Sequence, residues 1–211
     1  MDKLSVCEVF QSIQGESTHA GLPCFFIRLA GCNLRCRYCD TPEAYADGRM
    51  TAVGELVKRC RQSAAPLVEI TGGEPLLQEG TPVLASAVRD QAGKTVLIET
   101  NGSCDLSAVP GEVIAVVDVK TPGSGEPGAM DWNNVKRLRE YDEVKFVLCD
   151  RTDYEWAVER VQEHDLPARC RAVHFSPAWG LLDPGELARW IVNDAPPVRL
   201  HLPLHKVADV P

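Results

Sequence analysis

Short apolar runs alternate with longer polar stretches along this chain, and the runs have the length of strands rather than helices. Residues 23–30 (PCFFIRLA), 67–71 (LVEIT), 95–100 (TVLIET), 113–119 (VIAVVDV), 143–148 (EVKFVL) and 171–176 (RAVHFS) read as six core strands. Residues 4–10 (LSVCEVF) alternate enough to form a strand before them, and 198–202 (VRLHL) one after. Between the runs, helices are expected over 53–64, 81–91, 133–139, 152–164 and 185–193. Thr51 is placed to cap the first of these, and Thr152 with Glu155 three residues on forms a capping box for the fourth. Asp183 and Pro184 open the last. Strand, loop and helix recur about six times, the pattern of parallel βα units. A complete eight-stranded barrel takes ~250 residues. The 211 residues present therefore predict an α/β chain folded as one domain, 1–211, with the form of an incomplete TIM-like (β/α)6 barrel.

Composition narrows the function. Hydrophobic residues make up 45% and charged residues 25%, ordinary for a globular protein, and the net charge of −8 disfavours a nucleic-acid surface. A small-molecule substrate is the expectation, with no nucleic-acid partner. No apolar run is long enough to span a membrane, so no membrane partner is expected. Nine cysteines in a chain that starts without a leader point to a reducing cytoplasm and a metal site rather than a disulfide frame. Six of them, Cys7, Cys24, Cys60, Cys104, Cys149 and Cys170, are scattered singly and read as small core side chains.

The other three stand together. Cys32, Cys36 and Cys39, spaced C-x3-C-x2-C, follow the first core strand, so they sit in the loop at a strand's C-terminal end. Barrels and open α/β sheets place their chemistry there. Thiolates are soft donors that suit zinc or iron–sulfur clusters, but a structural zinc site wants four protein ligands and no fourth lies nearby. A zinc knuckle completed by a distant residue stays open on this spacing alone, as does a non-catalytic zinc scaffold.

The triplet resembles the signature of the radical S-adenosylmethionine (SAM) superfamily, in which three thiolates hold a 4Fe-4S cluster and the fourth iron takes the methionine part of SAM. Gly72-Gly73-Glu74-Pro75, at the end of the next strand, matches that superfamily's GGEP motif, whose backbone receives the methionine amino group. Glu99 to Gly102, with Asn101, and Asp118-Val119-Lys120 end the following two strands and resemble further SAM contacts. Lys120 offers a compact positive charge for the methionine carboxylate, and Asp118 a partner for Lys120 or for a polar group of SAM. Tyr38, Cys39 and Asp40 in the cysteine loop join this set by resemblance. Ser176-Pro177-Ala178-Trp179, after the sixth strand, is placed to touch the adenine.

Residues 10–16 (FQSIQGE), the Cys39-Asp40-Thr41 tail and His205-Lys206 resemble the 7-carboxy-7-deazaguanine synthases. That family contracts the ring of 6-carboxy-5,6,7,8-tetrahydropterin, releases ammonia, uses SAM catalytically and needs Mg2+. The resemblance implies that Thr41 ligates Mg2+, that Ile13, Gln14, Gly15 and Glu16 read the pterin edge, and that Thr71 and His205 also face the substrate. Arg28, a charge inside an apolar run, either has a carboxylate partner or points at the substrate carboxylate. A terminal carboxylate on Pro211 would pair with the guanidine-like edge of the pterin. The expected chemistry starts with a 5′-deoxyadenosyl radical that takes a hydrogen atom from C6, and side chains need do little acid–base work. An electron donor such as flavodoxin or ferredoxin and a homodimer are implied as well. Ser17 stands where much of the family has glycine, which leaves the local loop shape open. A glycyl-radical-enzyme activase shares the cysteine, GGEP and D-x-K elements and is the runner-up.

Overall fold

The computed structural model describes residues 3–46 and 48–211; Met1, Asp2 and Asp47 lie outside the described residues. β1 (Lys3–Ile13), β2 (Pro23–Leu29), β3 (Arg49–Ala52), β4 (Leu67–Gly72), β5 (Thr95–Thr100), β6 (Ile114–Val119), β7 (Glu143–Leu148), β8 (Ala172–Pro177) and β9 (Arg199–Leu200) form one sheet in the order β3-β1-β2-β4-β5-β6-β7-β8-β9. Strands β2, β4, β5, β6, β7, β8 and β9 pair in parallel, whereas β1 runs antiparallel to β2 and to β3. The six predicted core strands, with the short β9 beyond them, are therefore the parallel part of an unclosed barrel. β1 extends past the predicted residue 10 because Ile13 still pairs with Pro23, making a hairpin of β1 and β2. β3, which its sequence did not announce, pairs with the start of β1.

Side chains alternate between two buried faces, as parallel sheets require. Ile27, Ile70, Ile98, Val117, Phe146 and Phe175 face outward into the main core with Leu56, Leu84, Tyr154 and Leu187 from the helices. Burying each such side chain contributes about 1.5–3 kcal/mol. On the inner face, Cys24, Phe26, Leu67, Leu97 and Val116 make a small apolar plug, with Phe10 and Ile114 packed on it. The next inward positions toward the strands' C-terminal ends are polar: Arg28, Glu69, Thr71, Glu99, Asp118 and Lys145 all line a cavity there.

The helices are α1 (Val53–Gln62), α2 (Thr81–Ala87), α3 (Arg151–Glu163), α4 (Pro184–Asp194) and α5 (Leu204–Ala208). Three caps or bounds differ from expectation. Thr51 does not cap α1: it belongs to β3, opposite Leu4, and Ala52 takes the cap position. The Thr152–Glu155 box does not form, because the carboxylate of Asp150, two residues earlier, accepts from the Asp153 N–H, while Glu155 pairs with Arg151 at 2.9 Å. Residues 133–139 give only a 3-10 turn, Trp132–Lys136, capped by Asp131. Asp183 caps α4 as expected, accepting from the Glu186 N–H. Ser17 has φ +62, the left-handed region that favours glycine, so this serine adopts the conformation a glycine would supply; its Oγ accepts from the His19 N–H at 3.1 Å.

Candidate active site

A cavity of about 540 Å3 lies at the C-terminal ends of the parallel strands. Gly31 turns the chain with φ +91 out of β2 into the cysteine loop. Cys32, Cys36 and Cys39 all line the cavity, with Tyr38, Asp40 and Thr41. The three thiols are free and partly buried, and the Leu34 N–H donates to Cys32 Sγ at 3.4 Å. Burial pushes the Cys32 and Cys36 thiols up, and Lys120 draws both partly back. Among the described residues, no three His, Cys, Asp or Glu side chains converge on one metal ion. A single zinc ion needs donors within ~2.0–2.3 Å of one point. A polynuclear core instead takes each thiolate on a different iron, so an all-sulfur triad lining a shared space fits a cluster better than a zinc knuckle.

The glycine pair is packed against that loop. A Cβ on Gly72 would strike the Leu29 backbone, and one on Gly73 the Gly31 carbonyl and Cys32. The Gly73 N–H donates to Leu29 O at 3.1 Å and the Glu74 N–H to Gly31 O at 2.8 Å. Both glycines line the cavity, but Glu74 does not. It is fully buried and accepts from the Leu76 N–H, Thr100 Oγ1 and the Asn101 N–H at 2.9, 2.8 and 2.7 Å. Its side chain is thus a staple between the two motifs, leaving the backbone of the glycine pair to line the cavity. Val119 likewise faces the main core, not the cavity.

Asn101, Asp118 and Lys120 line the cavity beside the cysteines. Lys120 Nζ lies 2.9 Å from Asp118 Oδ2 and over the Tyr38 ring. Burial would lower the Lys120 ammonium, but Asp118, Tyr38 and Cys36 hold it above the usual range. Ser176, Pro177, Ala178 and Trp179 line the cavity too, fixed by the Ala178 N–H donating to Leu148 O at 2.8 Å.

The same cavity is also lined by Ile13, Gln14, Gly15, Glu16, Arg28, Thr71, Glu99, His205 and Pro211. Arg28 has the carboxylate partner, bonding Glu8 Oε1 at 2.8 Å, and it also lines the cavity. Gly15 is needed because a Cβ there would run into the His205 ring, and its carbonyl accepts from the Leu204 N–H at 2.9 Å. Asp40 pairs with Lys206 at 2.9 Å, and Thr41 Oγ1 donates to Asp40 Oδ1 at 3.2 Å.

Two residues at the centre were not singled out from the sequence. Lys145 is buried and pairs with Glu16 and Glu99, and with Asp118 at 3.3 Å. Burial would lower it, yet these three carboxylates hold it well above the ordinary lysine value. Glu69 is buried and accepts from Gln14 Nε2. Both sit as charges inside apolar runs, the same signal that marked Arg28.

The radical SAM superfamily profile matches residues 26–115. The 7-carboxy-7-deazaguanine synthase of Koribacter versatilis is 43% identical over 217 residues, covering 96% of each chain. That of Chlorobaculum tepidum is 42% identical over 206 residues, covering 96% of this chain and 93% of its own. Of solved structures, QueE from Escherichia coli overlays 95% of this chain and 93% of its own with TM-score 0.77 at 22% identity. Streptococcus suis SuiB bound to S-adenosylmethionine overlays 81% of this chain and 48% of its own with TM-score 0.60 at 15% identity. The structural likenesses show the fold, an incomplete barrel of radical SAM type; the near-full-length sequence relatives set the activase and zinc-scaffold readings aside. This chain belongs to the 7-carboxy-7-deazaguanine synthase family of the radical SAM superfamily.

Proposed function

We propose that the chain is a radical SAM lyase that converts 6-carboxy-5,6,7,8-tetrahydropterin to 7-carboxy-7-deazaguanine and ammonia, a step toward 7-deazapurines such as queuosine. The observation that carries this is a single cavity lined both by the thiol triad and by the Gln14–Glu16 loop, Arg28 and His205. Its volume suits a nucleotide-sized and a pterin-sized ligand side by side.

Cys32, Cys36 and Cys39 would hold the 4Fe-4S cluster, and the Gly72–Gly73 backbone, Asn101 and the Asp118–Lys120 pair would hold SAM. When bound, cluster and SAM supply a reductively generated radical able to take a hydrogen atom from carbon. The chain's own part is orientation and exclusion of water. Arg28, preset by Glu8, offers a guanidinium to the pterin carboxylate, while Gln14 and Glu16, tied into the Glu69 and Lys145 contacts, present fixed acceptors and donors to its amide-like edge. Thr71 and Pro211 complete that lining. Thr41 would give Mg2+ one hydroxyl ligand, the rest coming from water and substrate. The one-electron donor would be a flavodoxin- or ferredoxin-type protein, and the assembly a homodimer.

Anaerobic incubation of reconstituted protein with SAM, reductant and the carboxylated tetrahydropterin should yield the deazapurine and equimolar ammonia. Failure of a cluster-loaded, SAM-cleaving preparation to convert that pterin would sink this assignment.

A further inference from the structure

Ring contraction with loss of ammonia is a proton-transfer problem as well as a radical one, and the inner face of the barrel carries a pair of carboxyl groups suited to it. Glu69 on β4 and Glu99 on β5 point to the same face. Glu69 is level with Leu97, so Glu99 stands one inward position further along the neighbouring strand. Both line the cavity. Their environments differ sharply. Glu99 is ion-paired with Lys145. Glu69 is buried, accepts from Gln14 Nε2, and has no ion pair among the described residues. The groups facing Glu69 are the Cys24 thiol from β2, Gln14 and Glu16 from the loop after β1, and Glu99 from β5. Beyond Glu99 lie Lys145 on β7 and Asp118 on β6, which bind each other. Burial raises the Glu69 carboxyl well above the ordinary glutamate value, and the adjacent, hydrogen-bonded Glu99 raises it further. A buried carboxyl group that holds its proton, set beside an ion-paired carboxylate on the neighbouring strand, can work with it as an acid–base pair.

Resting on the function proposed above, we infer that Glu69 is the acid that protonates the nitrogen leaving as ammonia, with Glu99 as the base that restores it. The carbon–nitrogen bond breaks and its electron pair stays on nitrogen. The Glu69 carboxyl proton moves to that nitrogen. The proton then lost from ring carbon as the five-membered ring becomes aromatic passes to Glu99 and returns to Glu69 across their hydrogen bond. The pair ends as it began, and no outside oxidant or reductant enters. This assigns the side chains more acid–base work than the sequence reading expected of them.

The test separates radical from proton chemistry. With a substrate deuterated at C6, wild-type protein, Glu69→Gln and Glu69→Asp are compared in a single turnover for the rates of deuterium transfer into SAM and of ammonia release. Glu69→Gln should keep deuterium transfer near wild type while ammonia release falls roughly 100-fold, the range for loss of a general acid; Glu69→Asp should recover part of that loss. Equal loss of both readouts overturns the inference, because Glu69 would then only hold the substrate, and unchanged ammonia release overturns it too. Infrared spectra of ligand-free chain at neutral pH give an independent check that needs no turnover. A protonated-carboxyl band present in wild type and lost in Glu69→Gln supports the assignment, and its absence from wild type overturns it even if the variants do not fold. A wild-type enzyme that shows the band but leaves the pterin unconverted fails the functional reading instead, and with it the destination of the proton.

Discussion

Among the residues lining the cavity, the three thiols of the cysteine loop make few side-chain contacts, whereas the polar groups around Lys145, Gln14 and Arg28 are tied to one another or to neighbouring carboxylates. Cys32, Cys36 and Cys39 are free and partly buried. Elsewhere in the cavity Lys145 joins three carboxylates, Gln14 bonds Glu69 through Nε2 and the Glu16 N–H through Oε1, and Arg28 is clamped by Glu8. The difference separates two ways of making a site. The first set of groups keeps its strongest donors for a foreign inorganic group, and the second is organised before any ligand comes, which reduces the ordering cost of binding.

The largest test of that contrast is Cys36→Ser. A hard hydroxyl in place of a soft thiolate should remove most iron and sulfide and abolish deazapurine formation, while pterin affinity, read by calorimetry, stays nearly unchanged. A parallel collapse of affinity would show that the two sets are not independent. Lys145→Met attacks the other set. Three carboxylates lose their shared cation, which should cost roughly 3–5 kcal/mol in urea unfolding and weaken pterin binding, with iron content preserved.

A smaller effect should come from His201, buried beside His174 with both ring nitrogens unpartnered. Burial first, then His174 and Lys145, lowers its pKa from 6.5 to about 4. Unfolded chain binds the proton near pH 6.5 and folded chain only near 4, so stability is lost as pH falls through that interval. The gap corresponds to roughly 3 kcal/mol at the acid end. His201→Phe should flatten the unfolding free energy between those pH values relative to wild type; an unchanged slope would rule out His201 as its source. The smallest effect belongs to Glu8→Gln. Its side chain is 46% exposed, and such pairs contribute ~0–1 kcal/mol, so stability should barely move while KM for the pterin rises through a less fixed Arg28.

How far the sequence reached follows the range of the interactions. Runs such as LVEIT and TVLIET announced strands because parallel strands are apolar on both faces, and C-x3-C-x2-C announced its loop because the spacing is local. The cap of α3 was misplaced by two residues because Asp150 and Thr152 are both good caps and only the backbone entry angle decides between them. Lys145 and Glu69 stayed hidden for a different reason. Their partners come from other strands and from the loop after β1, and register such as Asp118 opposite Lys145 is set by the whole sheet. The structural role of the Glu74 side chain was hidden for the same reason: two of its three donors lie across the loop, at Thr100 and Asn101.

The bond from the Leu204 N–H to the Gly15 carbonyl, with the His205 ring seated over that glycine, joins segments from opposite ends of the described chain. Such a long-range closure comes late on the ribosome, since the loop after β1 must wait for nearly all the intervening strands before its partner emerges. Newly made chains should therefore reach a nearly complete barrel with an unfinished mouth, and proteolysis during synthesis should find the residues around Gly15 cleavable until α5 has docked.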